Sequence, residues 1–251
     1  MDAVNAYYEA VKETLERIQA EETLKIKEAG RLIAESLAQD RLLHVLGTGA
    51  HSFIGAEEIF DRAGGLVQVD AMLDPGVSLI FGSARGSRVE RTPGYAKAVL
   101  DSYPLQPGDV IIIVNANGIN SFTIDAALEA KKRGLTVVAV TSPECSQGIP
   151  AGHPARHPSN RNLYEIADIC LDSKTPTGEA LVTIQGCDQK VAPASTITNA
   201  FILHSVIAAA VEHMVALGVE PKVWKSGNAP GGDEANERYS EEYITRIKHL
   251  R

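Results

Sequence analysis

The sequence predicts an α/β fold, a doubly wound parallel sheet with flanking helices, N-terminal helices and a C-terminal helix plus tail. Three observations carry this. Residues 109–114 and 136–140 are short runs rich in Val and Ile, continuous rather than alternating, as in strands buried on both faces of a parallel sheet. Each run passes into a small polar loop and then a segment of helical periodicity. Strand–loop–helix units repeated in this way imply right-handed crossovers with helices on both faces.

Taken in order, residues 2–38 read as helix, one long or two short. Val4, Tyr7, Tyr8, Val11, Leu15 and Ile18, then Leu24, Ile26, Leu32, Ile33 and Leu37, recur at helical spacing. That apolar face fits either the chain's own core or a second subunit. Leu42-Leu43-His44-Val45-Leu46 is the first strand, followed by a helix from about 52 to 63 and a second strand at 67–70. Residues 74–95, rich in Gly and Arg, read as a long loop or broken helix, and 95–103 as helix. The turn Gln106-Pro107-Gly108 opens the strand at 109–114. A helix over 121–133 stops at Gly134. The strand at 136–140 ends in Thr141-Ser142. Residues 166–171 and 180–184 are expected to complete the sheet. Ser195 or Thr196 then caps a long apolar helix to Leu217. The tail holds a turn-rich segment at 226–232 and a last amphipathic helix. One domain is expected over 1–251: helical extension 1–38, core 39–218, tail 219–251.

Composition narrows the partners. Lys plus Arg number 24 against 32 Asp plus Glu, a net charge of −8 in 251 residues with no basic run, which argues against nucleic acid and anionic membranes. Cys145, Cys170 and Cys187 are odd in number and show no CxxC spacing, which suits a reducing compartment rather than disulfides or structural zinc. There is no basic flank and apolar run at the N-terminus, and no stretch of ~18 uninterrupted apolar residues. A cytoplasmic protein is expected.

In such sheets ligands sit outside the carboxyl ends of the strands. Three loops leave strands in that direction, at 47–52, 115–121 and 141–146. Gly47-Thr48-Gly49-Ala50-His51-Ser52 resembles a dinucleotide fingerprint only in part, since Ser52 stands where a third glycine belongs. Asn115-Ala116-Asn117-Gly118-Ile119-Asn120-Ser121 enters a helix N-terminus, where free N–H groups favour an anion; Asn120 or Ser121 also suits the cap.

The order of these parts resembles the SIS (sugar isomerase) domain family over roughly residues 30–215. It has a GxGxS-like loop after the first strand, an SGxN-like loop and helix after the central strand, and a Thr-Ser pair after the next. A branch similar to phosphoheptose isomerase is matched by Glu58-Ile59-Phe60-Asp61-Arg62-Ala63-Gly64-Gly65, Arg156-His157-Pro158-Ser159, Ala194-Ser195-Thr196, Ser226-Gly227-Asn228 and Gly231-Gly232-Asp233-Glu234. The resemblance implies aldose–ketose isomerisation of a sugar phosphate by acid/base proton transfer; no nucleotide, redox cofactor or metal is expected. It implies a homodimer or homotetramer. It places Gly49, Ser52, Asn115, Asn117, Gly118, Asn120, Ser121, Thr141, Ser142, Ser195 and Asn228 around the sugar. Glu58 matches the acidic residue that acts as base, and a carboxylate of raised pKa suits that step. His51, within the first loop, and His157 are the ring-opening candidates. His153, His204 and His213 read as solvated or packing residues. In phosphoheptose isomerases the last helix supplies a catalytic His, but alignment puts that position near Asn199–Ala200, with His204 about one turn later. Arg85, Arg88 and Arg91 read either as an anion clamp or as a solvated face. The family has Ser where this chain has Asn115 and Asn117, which tightens the loop and leaves phosphate, sulfonate or an uncharged sugar open. The alternatives are a non-catalytic sugar-phosphate sensor and a lyase acting on an amino-sugar phosphate.

Overall fold

The computed structural model describes residues 2–251. In chain order the elements are α1 (Ala3–Leu37), β1 (Leu43–Gly47), α2 (Phe53–Glu58), β2 (Val69–Ala71), α3 (Ser83–Glu90), α4 (Tyr95–Leu100), β3 (Val110–Val114) and α5 (Ser121–Lys132). There follow β4 (Thr136–Thr141), α6 (Pro143–Gln147), α7 (Leu163–Ile166), β5 (Ile169–Asp172), β6 (Ala180–Val182), β7 (Val191–Pro193), α8 (Ser195–Ala216) and α9 (Gly232–Tyr243). The five-stranded sheet runs β2-β1-β3-β4-β5 with every pair parallel. Strand order therefore reverses between β1 and β3, and sheets of this kind accommodate ligands in the crevice at such a switch.

Side-chain alternation explains why the central strands are apolar throughout. Val110, Ile112 and Val114 of β3 join one core, with Ile18 and Ile33 of α1 and Leu203 and Val206 of α8. Ile111 and Ile113 join the other, with Leu100 of α4 and Phe122 and Ala126 of α5. A period of two on a strand covered on both faces leaves no position for a polar side chain. Asp2 caps α1 through the Asn5 N–H (2.9 Å), and the segment forms one continuous helix rather than two. It is held along α8, where a Cβ on Gly30 would lie 2.7 Å from the Ala209 Cβ, so only glycine permits that approach. Lys174 Nζ, 2.8–3.0 Å from Glu21, Glu22 and Asp172, ties α1 to the end of β5. The tail makes a third core, with Trp224, Tyr239, Tyr243 and Ile247 against Leu42 and Val67.

At the opposite end of the sheet from the loops, His44 is fully buried between two carboxylates. Nδ1 meets Asp70 at 3.0 Å and Nε2 meets Asp109 at 3.2 Å. Burial alone would depress its pKa, but the bonds to Asp109 and Asp70 outweigh that and raise it. The two carboxylates thus favour the charged ring, which can donate from both nitrogens.

Several sequence expectations are corrected. The helix expected to reach 63 stops at Glu58, and Asp61 turns the chain at φ 44° so that Leu66 can bridge to Val223. Residues 180–184 do not extend the sheet; β6 pairs antiparallel with β7 as a separate hairpin. Neither Ser195 nor Thr196 caps α8, whose cap position is Ala194. Within 74–95 the chain forms a short 3₁₀ turn at Leu79–Phe81 and then α3. By length and composition alone α8 is apolar enough to cross a membrane, with mean hydropathy 1.4; here one side of it packs on α1 and the sheet.

Candidate functional site

A cavity of about 260 Å³ opens at the carboxyl ends of β1 and β3. The first loop contributes Gly49, His51 and Ser52, the second Asn115, Asn117 and Asn120, and the start of α8 Ser195 and Asn199. Across from them stand Ser83, Ser87 and Glu90 of α3, and Glu179 from the loop before β6. Among the described residues no Lys or Arg lines it.

The second loop is closed on itself. Asn115 Oδ1 accepts the N–H groups of Asn117 (3.2 Å) and Gly118 (2.8 Å), so a carboxamide oxygen occupies the concave side of the turn. Gly118 adopts φ 59° and a Cβ there would stand 2.5 Å from Thr141 Oγ1, which makes glycine obligatory. Asn117 Nδ2 donates to Glu179 Oε1 (3.2 Å), and Ser195 Oγ donates to Glu179 Oε2 (3.2 Å). Asn120 stands at the N-terminus of α5 without capping it; its Nδ2 donates to the Ala155 carbonyl (3.0 Å). Glu90 Oε1 accepts the Ala50 N–H at 2.9 Å. Burial raises the Glu90 carboxyl above the usual range; the Ala50 bond opposes this, and the charge of Glu179 adds to it. Asn199 is 4% exposed and its Oδ1 has no hydrogen-bond partner.

Beside the cavity, and sharing His51 and Asn199 with it, is a crevice of about 30 Å³ reached by Glu58 and Thr196. Here Glu58 Oε1 meets His204 Nε2 at 3.0 Å, and Arg62 Nη1 lies 3.3 Å from the same carboxylate. Residues 146 apart in sequence thus form a carboxylate–imidazole pair.

The structure gathers Gly49, His51, Ser52, Asn115, Asn117, Asn120 and Ser195 in one cavity and sets Glu58 next to it. Other expected residues do not line either space. Gly118 and Thr141 lie behind the loop, with Thr141 Oγ1 donating to the Ala116 carbonyl (3.4 Å). Ser121 is buried in the first turn of α5. Ser142 caps α6 and donates to the Thr175 carbonyl (2.6 Å). His157 Nε2 faces Asp125 (3.1 Å) and its Nδ1 faces Ser159 Oγ (2.7 Å). Asn228 is exposed in the tail turn. Arg85 reaches the Pro75 carbonyl (3.3 Å), and neither it nor Arg88 nor Arg91 lines the cavity. The residues that sequence reasoning missed are Glu90, Glu179, Asn199 as a lining residue, and the pairing of His204. Glu90 ends α3, within the Gly/Arg-rich segment read as a long loop or broken helix, and Glu179 follows Gly178 with φ 65° in a loop.

A larger cleft, about 790 Å³, opens at the other end of the sheet beside His44. Its cations are engaged within the chain, Arg41 with Asp109 (3.0 Å), Arg246 with Asp40 (2.9 Å) and Lys248 with Ser102 (3.2 Å). No group of three or more His, Cys, Asp or Glu placed to hold a metal occurs among the described residues.

Comparison with known proteins gives three findings. A family model described as SIS domain matches residues 6–142. A UPF0309 protein of Caldanaerobacter subterraneus subsp. tengcongensis is 39% identical over 250 residues, 98% of this chain and 100% of that one. One from Streptomyces griseus is 37% identical over 243 residues, 96% and 95% of the two chains. Among solved structures, a phosphoheptose isomerase from Neisseria gonorrhoeae superposes with a TM-score of 0.55 at 15% identity, covering 83% of this chain and 97% of its own. That from Francisella tularensis gives 0.54 at 16% identity, covering 84% and 100%. The structural likeness concerns the fold.

Proposed function

Because the chain belongs to the SIS-domain family, and aligns with UPF0309 proteins over nearly its whole length, we propose that it is a sugar isomerase of the phosphosugar-isomerase type. It would interconvert an aldose and a ketose by proton transfer at the strand-end cavity. The observation supporting this is the Glu58–His204 contact at 3.0 Å, beside a crevice that shares two walls with the cavity.

The chemistry needs two proton movements. Opening the sugar ring takes an acid at the ring oxygen. Isomerisation removes a proton from the carbon beside the carbonyl and returns one a carbon along. Glu58 serves as the base in the second movement. His204 orients its carboxylate and exchanges a proton with it, and Arg62 lies 3.3 Å from the same carboxylate. His51 lies at the junction of cavity and crevice and would supply the ring-opening proton. The cavity holds the remainder of the sugar through its Asn, Ser and Glu side chains. His157 has no part in this reading, since both ring nitrogens are directed to Asp125 and Ser159.

Glu58→Gln keeps size and removes the basic oxygen. It is expected to lower turnover by about 10²-fold or more with sugar affinity little changed, and His204→Gln is expected to slow the same step. Loss of stability and binding together with activity in Glu58→Gln would make Glu58 an ion-pair residue and end this assignment.

A further inference from the structure

We propose that the cavity takes a sugar bearing a free amino group and no phosphate, with the ammonium lying between Glu90 and Glu179. This narrows the substrate class of the reading above and rests on its placing the sugar in this cavity.

Three features of the cavity argue for it. The first is the closed second loop. The N–H groups of Asn117 and Gly118, which an anion would need at this strand end, already bond to Asn115 Oδ1. Asn120 at the head of α5 is likewise committed, to the Ala155 carbonyl. The second is charge. Two carboxylates line the cavity, Glu90 and Glu179, and His51 is the one ionisable group of opposite tendency among the described lining residues. A phosphate at pH 7 carries about −1.5 to −2 charge with acceptor oxygens only, and it would meet two carboxylates with no Lys or Arg among the described lining residues. The third is the orphaned acceptor. Asn199 Oδ1 is buried without a partner on the wall common to cavity and crevice. Buried acceptors in native folds are almost always satisfied, and a ligand donor supplies what the chain does not.

The site thus calls for donors and positive charge. An ammonium offers three N–H donors and one charge, where the hydroxyl of the parent sugar offers one donor and none. Its bonds to carboxylates are charge-assisted and correspondingly stronger. Glu90 is also suited to it. Burial raises the Glu90 carboxyl, and an ammonium beside it would favour the ionised form, so the ligand completes an ion pair there.

The test is calorimetric titration of the full chain at pH 7 with glucosamine, galactosamine and mannosamine, the parent hexoses, and the hexose 6-phosphates. At least one amine is expected to bind about tenfold or more tightly than both its parent and the phosphate, the scale of one charge-assisted bond. Glu90→Gln and Glu179→Gln are each expected to erase most of the preference for the amine over its parent hexose, with circular dichroism reporting that the variants are folded. Phosphates binding more tightly than amines, amines binding no better than their parents, or no amine binding at millimolar concentration would each overturn the proposal. An amine that binds as expected and is not isomerised removes the isomerase reading and leaves this one standing. A hexose phosphate that is isomerised, with no competition from amines, does the reverse.

Discussion

His44→Leu is expected to cost the fold about 3–5 kcal/mol, the range for removing one partner of a buried ion pair. His44 is fully buried on β1, and its two nitrogens join Asp70 of β2 to Asp109 at the entry to β3. The losses are unequal. Asp109 keeps the Arg41 guanidinium (3.0 Å) and the Gln106 N–H (2.7 Å). Asp70 is 0% exposed, its Oδ1 already has no partner, and its Oδ2 loses His44. The variant must therefore bury a carboxyl without a hydrogen bond or admit water between β1 and β2. At about 2–4 °C per kcal/mol for a domain of this size, the melting temperature should fall by about 6–20 °C. Circular dichroism during heating and urea titration at pH 7 measure it. His44→Leu/Asp70→Leu should recover a large part of the loss, because removing both partners leaves nothing unsatisfied. A single variant within about 1 kcal/mol of wild type would refute the reasoning, since so small a loss lies below the range for a buried pair. A double variant as unstable as the single one would do the same.

The same pair sets a pH dependence. A His44 pKa raised above the unfolded value of 6.5 contributes stability that is fully present below that pH and lost as pH rises through the folded pKa, so wild type should lose ground to the double variant on going alkaline. Asp109, held below the unfolded 3.8 by His44, the Gln106 N–H and Arg41 against the effect of burial, contributes stability above that pH that disappears in acid; urea titrations across pH read both limbs. Asn115→Ser should free the N–H groups of Asn117 and Gly118 and improve phosphosugar binding relative to unsubstituted sugar by about 1–2 kcal/mol, measured by calorimetry; equal losses for all ligands would make Asn115 purely structural. Val4, Tyr8 and Leu24 of α1 and Val215 of α8 are exposed, and a homodimer or homotetramer burying well over ~1,200 Å² per interface is expected; a monomer by light scattering at high micromolar concentration would contradict it.

Much of the fold was legible because its signals are local. The continuous Val/Ile runs of β3 and β4 occur only where both faces are covered, and they brought the crossovers and strand-end loops with them. The end of α2 was not legible, because the chain turns at Asp61 and Leu66 then bridges to the distant tail, at Val223. Nor was the β6–β7 hairpin, since a short apolar run does not show which sheet it joins. The cavity's loop residues could be read from strand ends alone. Glu90 and Glu179 could not, because the chain reaches the cavity there through loops and a short helix with no pattern of their own. His204 looked like a packing residue on an apolar helix, and only the tertiary approach of α2 to α8 pairs it with Glu58.

The most direct measurement is proton NMR of a bound sugar incubated with the protein in D₂O. Glu58 is 26% exposed, so a proton it removes has access to solvent before it is returned. Wild type is expected to form ketose from aldose while deuterium replaces the C2 proton, and Glu58→Gln is expected to do neither at a comparable rate. A sugar that binds the wild-type cavity, keeps its C2 proton and yields no ketose would contradict the assignment of this protein as a sugar isomerase.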